Sequence, residues 1–110
     1  MQTLEQHQSP DGVLQFIVLR DDDGDISLGF DGFAWHTHPE IFSLDGETKD
    51  VAVRRFVDDL LAGRSIIAIA RVRGQIRDMW VAEDATPDKY KPEDEVIEFR
   101  RWNGAKVPHR

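Results

Sequence analysis

The chain has 110 residues, of which 40% are hydrophobic, 9% aromatic and 32% charged, and it contains no cysteine. This composition provides enough apolar side chains for one core, so we expect a single domain over residues 1–110 with frayed ends near 1–10 and 104–110. The lack of cysteine excludes disulfides, thiolate nucleophiles and cysteine-ligated metal sites.

The charge is negative and unevenly distributed. Twenty-one acidic and fourteen basic side chains give a net charge of −7, which disfavours nucleic acid as a partner because phosphates would be repelled. Residues 1–50 carry −9, whereas residues 51–110 carry +2. This field favours a basic protein partner, although acidic turn residues are also simply well solvated. No apolar run is long enough to cross a membrane and no leader is evident, so we expect a soluble cytoplasmic protein.

The first half of the chain predicts a β-hairpin. Residues 13–19 form an apolar, β-branched run that is typical of a strand, and residues 26–30 form the returning strand. Asp23 and Gly24 between them suit the left-handed positions of a tight turn.

Residues 33–38 predict a third strand, which Pro39 ends because proline cannot donate to a β-ladder. Successive side chains of a strand point to opposite faces. One face then carries Phe33, Trp35 and Thr37, and the other carries Ala34, His36 and His38.

A helix is predicted over about 48–62, capped by Thr48 or Asp45 and ended by Gly63. Its apolar residues recur at spacings of three and four, which indicates one buried face. That face carries Ala52, Val53, Phe56, Val57, Leu60 and Leu61.

The second half of the chain predicts three more strands. Residues 66–70 are apolar throughout and indicate a buried central strand, and 75–83 and 95–102 are the other two, separated by a loop over 84–94. With one helix available, the strands must pair mostly antiparallel. We therefore expect an α+β fold with a sheet of about six strands in the order βββ-α-βββ and the helix packed on one face.

His36 and His38 raise the possibility of a metal site. Two histidines two residues apart on a strand point to the same side, as two ligands of one zinc ion would. One carboxylate would complete a two-His, one-carboxylate site. The candidates are Asp31, Glu40, Asp45 and Asp78, of which we name Asp45 as the third ligand. In this alternative interpretation, the protein is a metal-dependent hydrolase.

The segment His36-Thr37-His38-Pro39 resembles the start of the zinc motif of JAMM-type isopeptidases. The resemblance implies a third ligand in a following Ser-x-x-Asp and a base on an upstream Glu. The nearest match, Ser43 to Asp45, is one residue too short and too close to Pro39, and the only upstream Glu is Glu5. These departures favour a protein that is not an enzyme.

Four segments, among them Ser9-Pro10-Asp11-Gly12 and residues 98–104, together resemble small single-domain bacterial proteins of unassigned function, some of which look like immunity proteins of toxin–antitoxin competition systems. The resemblance implies a compact acidic domain that blocks a basic toxin with a sheet face. The segments are 9–12, 29–33, 35–38 and 98–104.

The function that we predict is therefore a protein-binding domain without a cofactor, with an acidic surface for a basic partner. A homo-oligomer that pairs through its sheets is a further alternative. Rim charges would steer association, and aromatic groups would form the buried contact. The steering residues are Asp21, Asp22, Asp23, Asp25 and Asp31, and the contact residues are Trp35, His36 and His38.

Overall fold

The computed structural model describes residues 1–86 and 93–109. Within them, the chain forms two four-stranded antiparallel sheets and two helices, so the predicted α+β class is confirmed. Part of the predicted loop over 84–94 lies outside the described residues. No helix in the described ranges has both the length and the apolar character needed to traverse a bilayer.

The first sheet is a meander in which each strand pairs with the next. Its strands are β1 (Gln2–Gln8), β2 (Gln15–Arg20), β3 (Ile26–Phe30) and β4 (His36–Thr37). The predicted hairpin is β2–β3, with Phe16 opposite Phe30. Gly24 in its turn has a φ of 87°, which glycine adopts without steric cost. The predicted left-handed position of Asp23 is not observed, because five residues rather than two connect β2 and β3.

Residues 2–8, within the segment expected to fray, form β1, which is paired with β2 along its length. Gln2 lies opposite Arg20 and Gln8 lies opposite Gln15, with one irregularity between Thr3 and Glu5. An edge strand is held by hydrogen bonds between backbone groups, which form as readily in a polar segment as in an apolar one. Its sequence therefore lacks the apolar periodicity from which strands are predicted.

Two helices follow the first sheet. Helix α1 is one turn, Pro39–Phe42, with proline in its first turn, so Pro39 ends β4 by starting a helix. The predicted helix is α2, Lys49–Leu61. Thr48 is its N-cap and accepts a hydrogen bond from the backbone of Val51, and Gly63 follows its end with a φ of 79°. The buried residues are Ala52, Val57 and Leu60.

The second sheet has the order β6-β5-β7-β8. Its strands are β5 (Ile66–Val72), β6 (Gln75–Ala82), β7 (Glu95–Arg100) and β8 (Lys106–Val107). β5 is central, and residues 67–70 are fully buried, as predicted. Arg73 and Gly74 connect β5 to β6 with φ values of 53° and 80°, so both occupy left-handed positions. Those are the conformations of a two-residue hairpin turn.

Two residues within 104–110, the other segment expected to fray, form β8. Lys106 and Val107 of β8 pair with Arg100 and Phe99 of β7. Beyond β8, the ring of His109 donates a hydrogen bond to the Ile97 carbonyl at 2.8 Å. β7 and β8 form a hairpin closed by a turn over 101–105, and two residues are too few for β8 to show strand periodicity.

The prediction of one six-stranded sheet is wrong, because the strands divide into two sheets at the helices. One short helix would leave much of the apolar surface of such a sheet uncovered. Two smaller sheets instead share one core with α2. The core residues are Leu14, Phe16, Val18, Leu28, Phe30, Val57, Leu60, Ile67, Ile69, Met79 and Trp102.

Candidate functional site

The histidine pair lies at the β4 edge of the first sheet. His36 pairs with Gly29 and Thr37 with Leu28. Thr37 points inward and is buried, whereas His36 is exposed and His38 is half-buried. The two imidazole rings have centroids 5.0 Å apart and are nearly perpendicular. The predicted strand spacing therefore does bring the two rings together.

Backbone carbonyls orient both rings. His36 Nδ1 lies 3.1 Å from the carbonyl oxygen of Ala34, and His38 Nδ1 lies 2.9 Å from that of Ile26. A carbonyl oxygen only accepts hydrogen bonds, so Nδ1 carries the proton in each neutral ring. The lone pair of each neutral ring is then on Nε2.

The three-ligand zinc site is not assembled. Across residues 1–86 and 93–109, no three His, Asp or Glu side chains lie close enough together to hold a metal ion. The predicted third ligand, Asp45, is exposed in the connection between α1 and α2, and the structure does not bring it to the histidines.

The base implied by the JAMM resemblance is also misplaced. Glu5 is on β1, at the opposite edge of the sheet from β4. Its carboxylate is occupied by His7 at 2.9 Å and by Arg54 at 3.3 Å. The hydrogen bond from His7, with further help from Arg54, lowers the pKa of Glu5. A carboxylate so stabilised in its charged form is a weak base.

A shallow concavity of about 280 Å³ opens on the outer face of the first sheet, and we call it the outer groove. Register places Ile17 of β2 beside Gly29 of β3, and Leu19 beside Ser27, with all four on this face. The lining comes entirely from residues 17–36, so no other described element forms its walls. The residues that line the groove are Ile17, Leu19, Ser27, Leu28, Gly29, Phe30, Phe33, Ala34, Trp35 and His36.

Gly29 is required for the shape of this groove. A Cβ atom on Gly29 would lie 2.8 Å from the carbonyl oxygen of Trp35, closer than real Cβ contacts allow. Glycine therefore lets the segment before β4 approach β3, and it leaves the groove without a side chain at this point.

The three tryptophans differ in exposure. Trp35 is half-buried, lines the outer groove and also packs on the core, with its ring 6.1 Å from that of Phe30. Trp80 is half-buried against a second apolar cluster on the other sheet, and Trp102 is buried. Trp35 is therefore the tryptophan that borders the histidines.

The predicted steering residues lie at the two ends of β3. The turn before β3 holds Asp21, Asp22, Asp23 and Asp25, and Asp31 follows its last residue. The turn group and Asp31 therefore lie on either side of the outer groove and do not form one cluster.

Within the turn, Asp21 has a structural role. Its carboxylate accepts hydrogen bonds from the backbone of Asp23 at 3.0 Å and of Asp25 at 2.9 Å. Asp22, in contrast, is almost fully exposed and lies 3.2 Å from the N-terminal amine. Exposed residues such as Asp22 and Asp23 are the ones available to attract a partner.

Sequence reasoning missed a second concavity of about 480 Å³ between the first sheet and β6. It is lined by Trp35, Phe42, Phe56 and Val81, and the largely exposed Ile41 stands at its border. Ile41 and Phe42 belong to α1. A proline followed by an acidic residue, as in Pro39-Glu40, is a helix-start signal that could have revealed this turn.

Comparison of the chain with protein-family models, curated proteins and solved structures finds no significant match.

Proposed function

We propose that this chain is a binding domain for a basic protein, and that it inhibits the partner by covering it, as an immunity-type protein covers its toxin. The observation that carries the proposal is the outer groove. It is an apolar concavity on a sheet face, with acidic side chains at both ends.

The apolar side chains of this surface favour binding, because their exposure to water is unfavourable in free energy and a partner would remove it. Ile17 and Leu19 alternate with the buried Phe16 and Val18, so β2 is apolar on both faces. Both outward side chains remain only half-buried. Fully burying such a side chain stabilises by about 1.5–3 kcal/mol, so a partner that covers both would gain about half of that from each.

The charge around the groove supports a basic partner. Asp22, Asp23 and Asp25 are exposed at one end of β3, and Asp31 is exposed at the other. An apolar centre with a charged rim is the usual arrangement of a protein interface. Rim carboxylates accelerate the approach of a positively charged protein and repel acidic ones.

Two exposed alanines provide a matched test of the surface. Ala34 lines the outer groove, whereas Ala105 lies next to β8 on the second sheet. Ala34→Arg fills the groove and adds a positive charge, and Ala105→Arg makes the same change elsewhere. Each protein is immobilised, proteins retained from the source lysate are identified by mass spectrometry, and the leading one is purified and titrated.

The expected partner is basic, and its affinity falls by at least about tenfold, or 1.4 kcal/mol, in Ala34→Arg while Ala105→Arg binds as wild type. An acidic partner, or equal binding by the two variants, would contradict the proposal. Retention of nothing except further copies of this chain would instead support the homo-oligomer.

The role of the acidic turn is tested by association kinetics with the same purified partner. Asp22→Asn with Asp23→Asn removes two exposed charges and leaves Asp21 to hold the turn. Glu93→Gln with Asp94→Asn removes the same charge just before β7 of the second sheet, where both side chains are exposed. The first pair should slow association and weaken its dependence on salt, and the second should do so much less. Equal effects would show that only net charge matters.

A further inference from the structure

The four histidines of the chain use their ring nitrogens in two different ways. His7 Nε2 lies 2.9 Å from a carboxylate oxygen of Glu5, and His109 Nε2 lies 2.8 Å from the carbonyl oxygen of Ile97. Both acceptors require a proton on Nε2. These two histidines are also far apart in the fold, on β1 and beyond β8.

His36 and His38 have the opposite arrangement. Their Nδ1 atoms donate to backbone carbonyl oxygens, and no hydrogen bond among the described residues uses either Nε2. A ring that donates Nδ1–H to a carbonyl has its tautomer fixed and its Nε2 lone pair available, which is the usual outer-shell arrangement around metal-bound histidine.

We infer that His36 and His38 form a two-imidazole chelate for a divalent transition-metal ion such as Zn²⁺, with water in the remaining coordination positions. Two imidazoles bound tetrahedrally through Zn–N bonds of about 2.0–2.1 Å have ring centres about 5 Å apart. The observed separation of 5.0 Å agrees with this value. The inference does not depend on the proposed partner.

The surroundings favour a cation. Glu40 is close enough to interact electrostatically with His38, although its main partner is Lys49 at 2.9 Å. The acidic first half of the chain adds a negative field. With two nitrogen ligands, the site should accept borderline ions such as Zn²⁺ and Ni²⁺ and reject Mg²⁺, which prefers oxygen ligands.

The tautomers are tested first, on the untagged full chain without metal. Long-range ¹H–¹⁵N NMR of the imidazoles distinguishes protonated from unprotonated ring nitrogens. We expect Nδ1–H in His36 and His38 and Nε2–H in His7 and His109. The reverse tautomer in the pair would overturn the inference, because its Nε2 lone pairs would not be available.

Metal binding is then measured by calorimetric titration with ZnCl₂, and with MgCl₂ for comparison. We expect one Zn²⁺ per chain. Removing a residue that only hydrogen-bonds to a metal ligand typically lowers metal affinity by about 10–100-fold. His36→Ala removes a ligand itself, so it should lower the affinity for Zn²⁺ by at least about tenfold. His36 is exposed, so this variant should fold, and His38→Ala tests the second ligand.

The matched controls are His7→Ala and His109→Ala, which remove an imidazole elsewhere and should bind Zn²⁺ as wild type. In the NMR spectra, Zn²⁺ should shift the Nε2 resonances of His36 and His38 only. Failure of the wild type to bind Zn²⁺, or an equal loss of affinity in all four variants, would overturn the inference.

Discussion

The ion pair between Asp11 and Arg100 allows the strongest test of how the two sheets are joined. Arg100 is on β7, and its guanidinium is only 8% exposed. It donates to Asp11 Oδ2 at 2.7 Å, and Asp11 lies in the connection from β1 to β2. The guanidinium also donates to the carbonyls of Arg101 and Trp102. This pair therefore links the second sheet to the first.

Asp11→Asn removes the charge of the pair with little change in shape. The asparagine oxygen can still accept the hydrogen bonds that Asp11 Oδ1 receives from Ser9 and Val13. A hydrogen bond to a charged group contributes about 1.5–3 kcal/mol. The Asp11 side chain is 40% exposed, so solvent screening reduces this contribution. We expect the variant to unfold with a free energy lower by about 1–2 kcal/mol.

The measurement is urea unfolding followed by tryptophan fluorescence at about pH 7, with Asp58→Asn as the control. Asp58 pairs with Arg54 on the surface of α2, where the two side chains are 56% and 50% exposed. Such a pair contributes about 0.3–0.5 kcal/mol. If Asp11→Asn and Asp58→Asn lowered the free energy of unfolding equally, the buried Arg100 guanidinium would contribute no more than an exposed one.

The same pair predicts a dependence on pH. Hydrogen bonds from Arg100, and then from Ser9, hold the pKa of Asp11 well below its ordinary value. A carboxyl whose pKa is lowered by folding stabilises the protein above its unfolded pKa of about 3.9 and loses this contribution as pH falls towards the folded value. The difference between wild type and Asp11→Asn should therefore be constant from about pH 7 to 5 and decrease below about pH 4. A difference that stays constant to about pH 2 would show that the carboxylate charge is not its source.

Two other local features can be tested by the same unfolding measurement. Thr48→Ala should lower the free energy of unfolding by about 1 kcal/mol because it removes the N-cap of α2, whereas Asp45→Ala should have almost no effect. An equal loss of stability in Thr48→Ala and Asp45→Ala would show that Thr48 is not the only residue that caps α2. Gly29→Ala should destabilise by about 1–3 kcal/mol, because its new methyl group would overlap the Trp35 carbonyl oxygen, which is backbone and cannot rotate away. Ser27→Ala on the same face of β3 should cost less, and a Gly29→Ala variant as stable as wild type would disprove the close contact.

The elements that were predicted correctly are those with local signals. The β2–β3 hairpin follows from two apolar runs that flank a turn with a glycine at φ 87°. Helix α2 follows from apolar spacing of three and four between Thr48 and Gly63. Turn conformation and helical periodicity depend on residues a few positions apart, so they can be recognised without knowledge of the fold.

The elements that were missed pair with strands that are close in sequence, but their own residues carry little strand signal. β1 is stabilised by its ladder with β2, and β8 by two residues of β7. Both are polar or very short, and neither has apolar periodicity. The choice of two sheets over one also depends on which strands meet across the core, and this choice is made by packing rather than by any single segment.

The candidate site shows the same division. The alternation that places His36 and His38 on one side is a property of any strand, so spacing predicted it. The bonding of His38 Nδ1 to the Ile26 carbonyl, and the outer groove beside the pair, depend on how β3 pairs with its neighbours, whereas His36 Nδ1 bonds to the nearby Ala34 carbonyl. Asp45 is close to the pair in sequence but not in space, and only the structure could exclude it as a ligand.

The sequence by itself determined the local elements, the negative charge of the first half and the shared face of the two histidines. Each of these depends on composition or on neighbours within a few residues. The tertiary structure alone decided that acidic side chains lie at both ends of an apolar groove, and that the histidine Nε2 atoms are available. These properties depend on the register in which neighbouring strands pair and on the path of the chain before β4, and a single segment leaves both open.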